Sequence, residues 1–318
     1  MLRLLVSALL VLLSPSAIAQ PSQKSIRIIV PFAPGASADG IARAIAIDLG
    51  KRSGKSVVVE NQTGAGGSAG LITLSKAAPD GDTLGVGASG ALLINPHITG
   101  SNAPDLLRDL APVAKLIEVG IVVVANPKTG PKTMKELIER AKASPQGISY
   151  GSTGVNTGQH LTMEMLKAHT GANLVHVPYR GSAPAIIDLI AGQIPVASVD
   201  ITSAYPHIVA GRAIALGMAE TRRSRAAPEI PTIGEMGITG FGRAAGFIGL
   251  FAPRATPPAV VQRISAEVRE ILASPPVLAS LKPLTVSAAH EDSETFAKFL
   301  AGEGARWKQV LQSLKLAK

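Results

Sequence analysis

The sequence predicts an α/β fold made of two similar lobes. Two observations carry that reading. β-Branched runs alternate with amphipathic segments of about ten to fifteen residues, the order of βαβ units on a parallel sheet. The series strand, Gly-rich loop, helix, strand, Gly-rich loop, helix, strand then occurs twice.

The first unit opens with IRIIVPF, from Ile26, and the loop APGAS. Ile41, Ile45, Asp48 and Leu49 fall at helical spacing behind it, with Ser37 as the N-cap and glycines at 50 and 54 as the stop. SVVVEN is the second strand, TGAGGSAG the second loop, and a helix follows over about 68–77. The turn Pro79-Asp80-Gly81 leads into a third strand, TLGVGAS. The second unit repeats this with the strand ISYGS, the loop TGVNTG, and a helix from Thr157 with Leu161, Met165 and Ala168 on one face. Gly171 ends that helix; NLVHVPY, the loop RGSAP, the helix AIIDLIAG and the strand IPVASVD complete the unit. Two more helices close the chain. One starts at Pro257-Pro258 with Val260, Ile264, Val268 and Leu272 in line; the other starts near Ser293 and aligns Phe296, Leu300, Trp307, Val310, Leu311 and Leu314. Stripes of that kind are core-facing.

Bulk properties narrow the function. The first residues, MLRLLVSALLVLLSPSAIAQ, carry Arg3, an apolar run Leu4–Leu13 and the small-x-small triplet Ala17-Ile18-Ala19. That is the pattern of a secretory signal peptide over 1–19, cleaved after Ala19, and it sends the mature chain to a bacterial periplasm. No Cys is present, so neither disulfides nor an N-terminal lipid on cysteine is available. Aromatics make up only 3% of the chain, few for a protein that stacks sugars or bases. The net charge of +9 is spread along the chain without interleaved aromatics, which argues against a nucleic-acid partner.

Three enzyme-like patterns fail on context. TGAGGSAG fits G-x-G-x-x-G/A, but a dinucleotide site has its glycines at the end of the first strand and an acid at the end of the second. Here Asn61-Gln62-Thr63 intervene, the preceding strand is the second, and Asp80 lies in a turn. Gly87-Ala88-Ser89-Gly90-Ala91 approaches a nucleophile elbow but ends in Ala, which leaves a serine hydrolase using Ser89 as the alternative reading. His160 and Glu164 share a helix face, yet no second motif makes them a metal site. A positive reading comes from the first loop of each unit. Pro34–Ser37 and Ser152–Thr157 each precede a helix N-terminus, whose unpaired N–H groups suit a carboxylate or phosphate. Two such loops facing each other would form an anion clamp.

The stretches VPFAPGASAD, VVVENQTGAGGSAG, AAPDGDTLGVG, YGSTGVNTGQHL, VHVPYRGSAPAIIDLIAGQI, APEIPTIGEMG and GLFAP resemble the Bug-type extracytoplasmic solute receptors. These are the TctC-like substrate-binding components of tripartite tricarboxylate transporters, and the likeness runs from about Ile26 to the C-terminus. The resemblance implies a type II periplasmic-binding-protein fold, with crossover strands near Ile121–Asn126 and Phe247–Ala252. Lobe 1 would comprise 24–122 and 248–318, and lobe 2 would comprise 123–247. It implies a monomer that traps a small organic carboxylate by hinge closure and hands it to membrane permease subunits or to a sensor. It implies no enzyme activity, metal or cofactor. Carried over by position, the ligand contacts are Phe32, Gly35, Ala36, Ser37 and Asp39, with Ser89 and Gly90 nearby. The second lobe would add Ser152, Thr153, Asn156, Thr157, His160, Tyr179, Gly181 and Ser182. Ser198 and Asp200 would reach the distal part of the ligand, and Phe247 shapes the pocket. Ser198-Val199-Asp200 departs from the aromatic-Asp-Asn strand end of many relatives, Phe247-Ile248 from their Trp-Phe, and Ala36 from a common second Gly.

Overall fold

The computed structural model describes residues 25–98, 102–224, 227–238, 246–284 and 286–317. The signal segment over 1–19 lies outside the described residues. In chain order the first elements are β1 (Ile26–Val30), α1 (Ser37–Ser53), β2 (Val57–Asn61), α2 (Ser68–Ser75), β3 (Thr83–Gly87), the short α3 (Leu106–Asp109) and β4 (Leu110–Val119). Gly120 alone separates β4 from β5 (Ile121–Ala125), after which come α4 (Met134–Ala143), β6 (Ile148–Ser152), α5 (Gly158–Thr170), β7 (Leu174–Pro178), α6 (Ser182–Ala191), β8 (Val196–Asp200), α7 (Ile201–Val209) and β9 (Ile214–Met218). The chain returns as β10 (Gly246–Pro253) and finishes with α8 (Pro258–Ala273), α9 (Pro275–Leu281), β11 (Ser287–Glu291) and α10 (Ser293–Ser313).

These strands form two sheets, ordered β11-β4-β10-β3-β1-β2 and β7-β6-β8-β5-β9. The duplication seen in the sequence is therefore topological: β2-β1-β3 of one sheet corresponds to β7-β6-β8 of the other, each parallel within itself. The sheets are mixed where a wholly parallel one was expected. In each, the next strand is antiparallel and has just arrived from the other lobe: β10 beside β3, and β5 beside β8. The stretches expected as crossovers are thus sheet members, held by ladder hydrogen bonds on both sides. β4, β9 and β11 have no counterpart in the sequence reading, because their apolar runs carry no Gly-rich loop to mark them.

Local chemistry accounts for the boundaries. Gly54 takes the left-handed conformation (φ 66°) and closes α1, whereas Gly50 stays inside the helix. Ser37 is not the N-cap: Ala36, which has no polar side-chain atom, holds that position, and the Ser37 hydroxyl is directed across the cleft to Asp200. Thr157 does cap α5, accepting from the His160 N–H. Ala168 is exposed; Leu161, Met165 and Leu166 make the buried face of that helix.

Each sheet buries apolar clusters on both faces. On one face of the first, Ile28, Val30, Ile41 and Ile45 pack with Ile264 and Val268 of α8. On the other, Phe251 and Phe296 pack with Trp307 and Leu311 of α10, and this cluster takes in Leu161 from α5 of the second lobe. Val310 and Leu314 also lean on the second lobe's core, so α10 touches both lobes. Phe296 is fully buried and touches Phe247 and Phe251 with ring centroids 5.6 and 5.4 Å away. Phe296→Ala is expected to lower stability by about 3–5 kcal/mol. Urea unfolding measures it, and a loss under about 1 kcal/mol would mean that α10 does not hold the sheet.

Candidate ligand-binding cleft

The β1–α1 and β6–α5 loops both line one cavity between the lobes, and each is fixed from behind. In the first, Asp39 accepts from the Gly35 N–H (3.2 Å), from Asn61 Nδ2 (3.0 Å) and from Arg43 Nε (3.0 Å). Asn61 Nδ2 also donates to the Phe32 carbonyl at 3.0 Å. Burial alone would raise the Asp39 carboxyl, but Arg43, Asn61 and Gly35 outweigh it and hold the group below its ordinary value. Asp39 is thus a brace that keeps Gly35 in its left-handed turn (φ 92°), and it stands behind the cavity wall.

In the second loop, Asn156 is a non-glycine residue with φ +60°, a conformation needing outside support. His160 supplies it: Nδ1 accepts from the Asn156 N–H at 3.1 Å. The His160 ring stacks on His176 at 4.0 Å, and His176 Nε2 lies 2.6 Å from Ser152 Oγ. Ser152 Oγ in turn bonds the Gly154 N–H and carbonyl at 3.1 Å. Burial pushes both imidazoles down to about 4; Lys167 adds to the shift of His160, and the neighbouring ring and Lys167 add to that of His176. A neutral His160 keeps Nδ1 free to accept, so this pair is a prop for the loop. His160 Nε2 stands 3.8 Å from Glu164, and no group of three metal-ligating side chains occurs among the described residues.

Between the loops lies a cavity of about 40 Å³, room for about three waters. A mouth of about 320 Å³ shares Phe32, Gly66 and Thr153 with it. Of the residues expected at the ligand, Phe32, Ala36, Ser89, Gly90 and Thr153 line the cavity, as do Thr157, Gly181, Ser182, Asp200 and Phe247. Gly35, Ser37, Ser152, Asn156 and His160 support the wall from outside it, like Asp39. Tyr179 lines the mouth, its hydroxyl donating to Asp188 at 2.8 Å. Ser198 is fully buried and its Oγ has no hydrogen-bond partner among the described residues. Sequence reading missed Gln159, Gly66 and the apolar wall of Val119, Ile121 and Ile248. Gln159 sits in the first turn of α5, two residues after the cap Thr157, an offset that could have revealed it.

The lobes touch directly. Ala33 N–H donates to the Arg180 carbonyl at 3.0 Å, and Ser37 Oγ donates to Asp200 Oδ2 at 2.7 Å. Gln159 Nε2 donates to the other oxygen of Asp200, and the Asp200 N–H donates to Ser182 Oγ. Burial pushes the Asp200 carboxyl above the ordinary range, against its hydrogen bonds with Ser37, Gln159 and Ser182. Thr202 Oγ1 also joins the lobes, donating to the Leu284 carbonyl at 2.6 Å, and within the cleft the closest backbone approaches are at glycine. A Cβ on Gly66 would lie 2.5 Å from the Val155 carbonyl oxygen, and one on Gly90 3.0 Å from that of Asn156. Of the glycines of TGAGGSAG, Gly66 serves lobe contact, whereas Gly67 turns the chain in the left-handed conformation against Phe32 and Gly70 lets α2 pack closely on Ile29 of β1. Ser89 is buried with no histidine hydrogen-bonded to it among the described residues, so the elbow reading finds no base.

Two outcomes follow. Gly90 is helical, so Gly90→Ala adds bulk without backbone strain. It should leave the urea midpoint unchanged yet widen the cleft, read as a larger radius of gyration by small-angle scattering; an unchanged radius would show that the seam yields. The histidine pair makes stability depend on pH. Its folded values lie below 6.5, so its contribution is complete above that pH and is lost as pH falls toward about 4. Melting temperature should fall from pH 6.5 to 5, and replacing His160 and His176 by Asn should flatten that slope.

Residues 41–316 match the family described as the tripartite tricarboxylate transporter family receptor. Protein BugT of Bordetella pertussis is 32% identical over 290 residues, 91% of this chain and 89% of its own. Among solved structures, a Rhodopseudomonas palustris protein holding adipate superposes with TM-score 0.84 at 27% identity, covering 92% of this chain and 98% of its own. MatC from the same species, with bound malate, gives TM-score 0.84 at 28% identity over 90% of this chain and 98% of that one.

Proposed function

The chain belongs to the tripartite tricarboxylate transporter receptor family, and from that premise we propose that it captures a small organic carboxylate in the cleft and delivers it to the permease subunits of such a transporter. The observation that carries this is the convergence of two helix N-termini on one cavity. Ala38 in the first turn of α1, and Gly158 and Gln159 in the first turn of α5, all line it. First-turn N–H groups have no partner within their helix and point along the helix dipole, so a carboxylate is their natural complement. The relatives holding adipate and malate support the same ligand class.

In this reading the two loops hold the carboxylate and the lobes close by bending at Gly120 and near β10. Gln159, Asp200 and the apolar wall then choose among acids, because backbone N–H groups recognise only the anion. The lobes divide at 24–122 with 248–318 and at 123–247. The protein acts as a monomer, exported by the segment over 1–19, and performs no chemistry on its ligand. Support for the last point is membership of a receptor family whose solved relatives hold their carboxylates bound.

The test is native mass spectrometry of the chain freed of residues 1–19, followed by thermal shift against mono-, di- and tricarboxylates. Ligand at 100 times its dissociation constant adds roughly 2.7 kcal/mol, an easily read rise in melting temperature. A retained acid, or a shift with one acid class and no hydrolysis of simple esters, is the expected result. No retained mass and no shift across the panel would remove the carboxylate reading. Loss of uptake in a deletion strain separates transport from sensing.

A further inference from the structure

A second cavity, of about 750 Å³, lies on the first lobe and shares no lining residue with the cleft. One wall is a single face of α8, from Pro258 through Val261 and Ser265 to Arg269, a rise of roughly 16 Å. The other wall is the β11–α10 junction, with His290, Asp292 and Glu294. Ala111, Val261, Ala266 and Ala297 give the trough an apolar component. Arg254 stands at the end where α8 begins and Arg269 at the end where it finishes.

The charges around this trough are unevenly matched. Glu267 is paired with Arg263, Glu270 with Arg52, Glu291 with Lys115, Glu294 with Lys298 and Asp109 with Arg108. Asp292 caps α10, accepting from the Thr295 N–H at 2.9 Å, where the helix dipole already complements it. Arg254 and Arg269 are exposed and have neither an ion pair nor a side-chain hydrogen bond among the described residues. Three polar atoms of the same wall residues, Thr256 Oγ1, Ser265 Oγ and His290 Nε2, also lack partners. The walls thus carry two unmatched guanidinium groups at the ends of an apolar trough.

We propose that this groove docks an extended acidic segment of a partner protein, about five residues long. A carboxylate at each end would meet Arg254 and Arg269, and small apolar side chains would lie on Val261, Ala266 and Ala297. A single small anion would engage one guanidinium at a time, whereas a segment with two acids engages both. The groove is on the opposite errand from the cleft: it presents the receptor, and the cleft holds the cargo.

The probe is an end-capped peptide Glu-Ala-Val-Ala-Glu, fluorescently labelled, titrated with the chain lacking residues 1–19. Binding is expected to weaken at least about tenfold for Gln-Ala-Val-Ala-Gln, for the Arg254→Ala/Arg269→Ala variant, and on raising salt. Both arginines are exposed, so the variant should keep the parent's urea midpoint, which shows that any loss is local. Equal binding by the variant or by the Gln peptide overturns the proposal, as does no binding at millimolar peptide. Displacement by an equal concentration of inorganic phosphate would make it a small-anion site. Self-association that the double variant abolishes would make the occupant a second copy, and would overturn it equally.

Discussion

Backbone approach between two loops is the constraint on which the rest of the molecule depends. The β6–α5 loop lies so close to the first lobe that a methyl group at Gly66, after β2, or at Gly90, after β3, would meet its Val155 or Asn156 carbonyl, while the β1–α1 loop meets Arg180 and Gly181 after β7. Side chains cannot be accommodated there, so in the proposed function recognition falls to helix N-termini and to the few groups, Gln159 and Asp200 among them, that line the cavity. Each loop is shaped from behind by a side chain that stands outside the cavity wall. Asp39 does this through the Gly35 N–H, and His160 through the Asn156 N–H. Electrostatics enters here as scaffolding: one brace is a carboxylate kept charged, the other an imidazole kept neutral.

The sheet topology explains why such loops can move as bodies. Each sheet takes its fourth strand from the far side of the hinge, β10 into the first and β5 into the second. Gly120 is the only residue between β4 and β5, so little chain is available to flex and motion is confined to a short segment. Asp200 ends the strand that pairs with β5, which puts a buried carboxylate beside that hinge. Its bonds to Ser37 of one lobe and Gln159 of the other join the state of the cleft to the protonation of one group.

Much of the fold was legible in the chain. The two strand–loop–helix series, the loops that line the cleft and the amphipathic faces of α8 and α10 follow from short-range periodicity and from Gly and Pro punctuation, which are local signals. The mixed sheets were not legible, because nothing in the run Ile121–Ala125 says which strands it will lie between. Nor was the split among site residues. Phe32, Thr153 and Thr157 line the cavity while Asp39, Ser152 and His160 prop it, yet all six stand in the same two motifs.

What the sequence determined by itself is therefore the set of loops and the anion chemistry of their helix ends, since an N-terminus is set by residues within a few positions of it. The tertiary structure alone decided which side chain meets which. Ser37 reads as a cap and becomes a donor to Asp200, 163 residues away. Gly66 fits a nucleotide-binding pattern that fails on context, and it becomes a point of lobe contact. Nothing in the sequence marks Arg254 and Arg269, which are left unmatched because the neighbouring acids pair with other cations or, for Asp292, cap α10. In each case the deciding distance is between atoms far apart in the chain, and such a distance has no local signature.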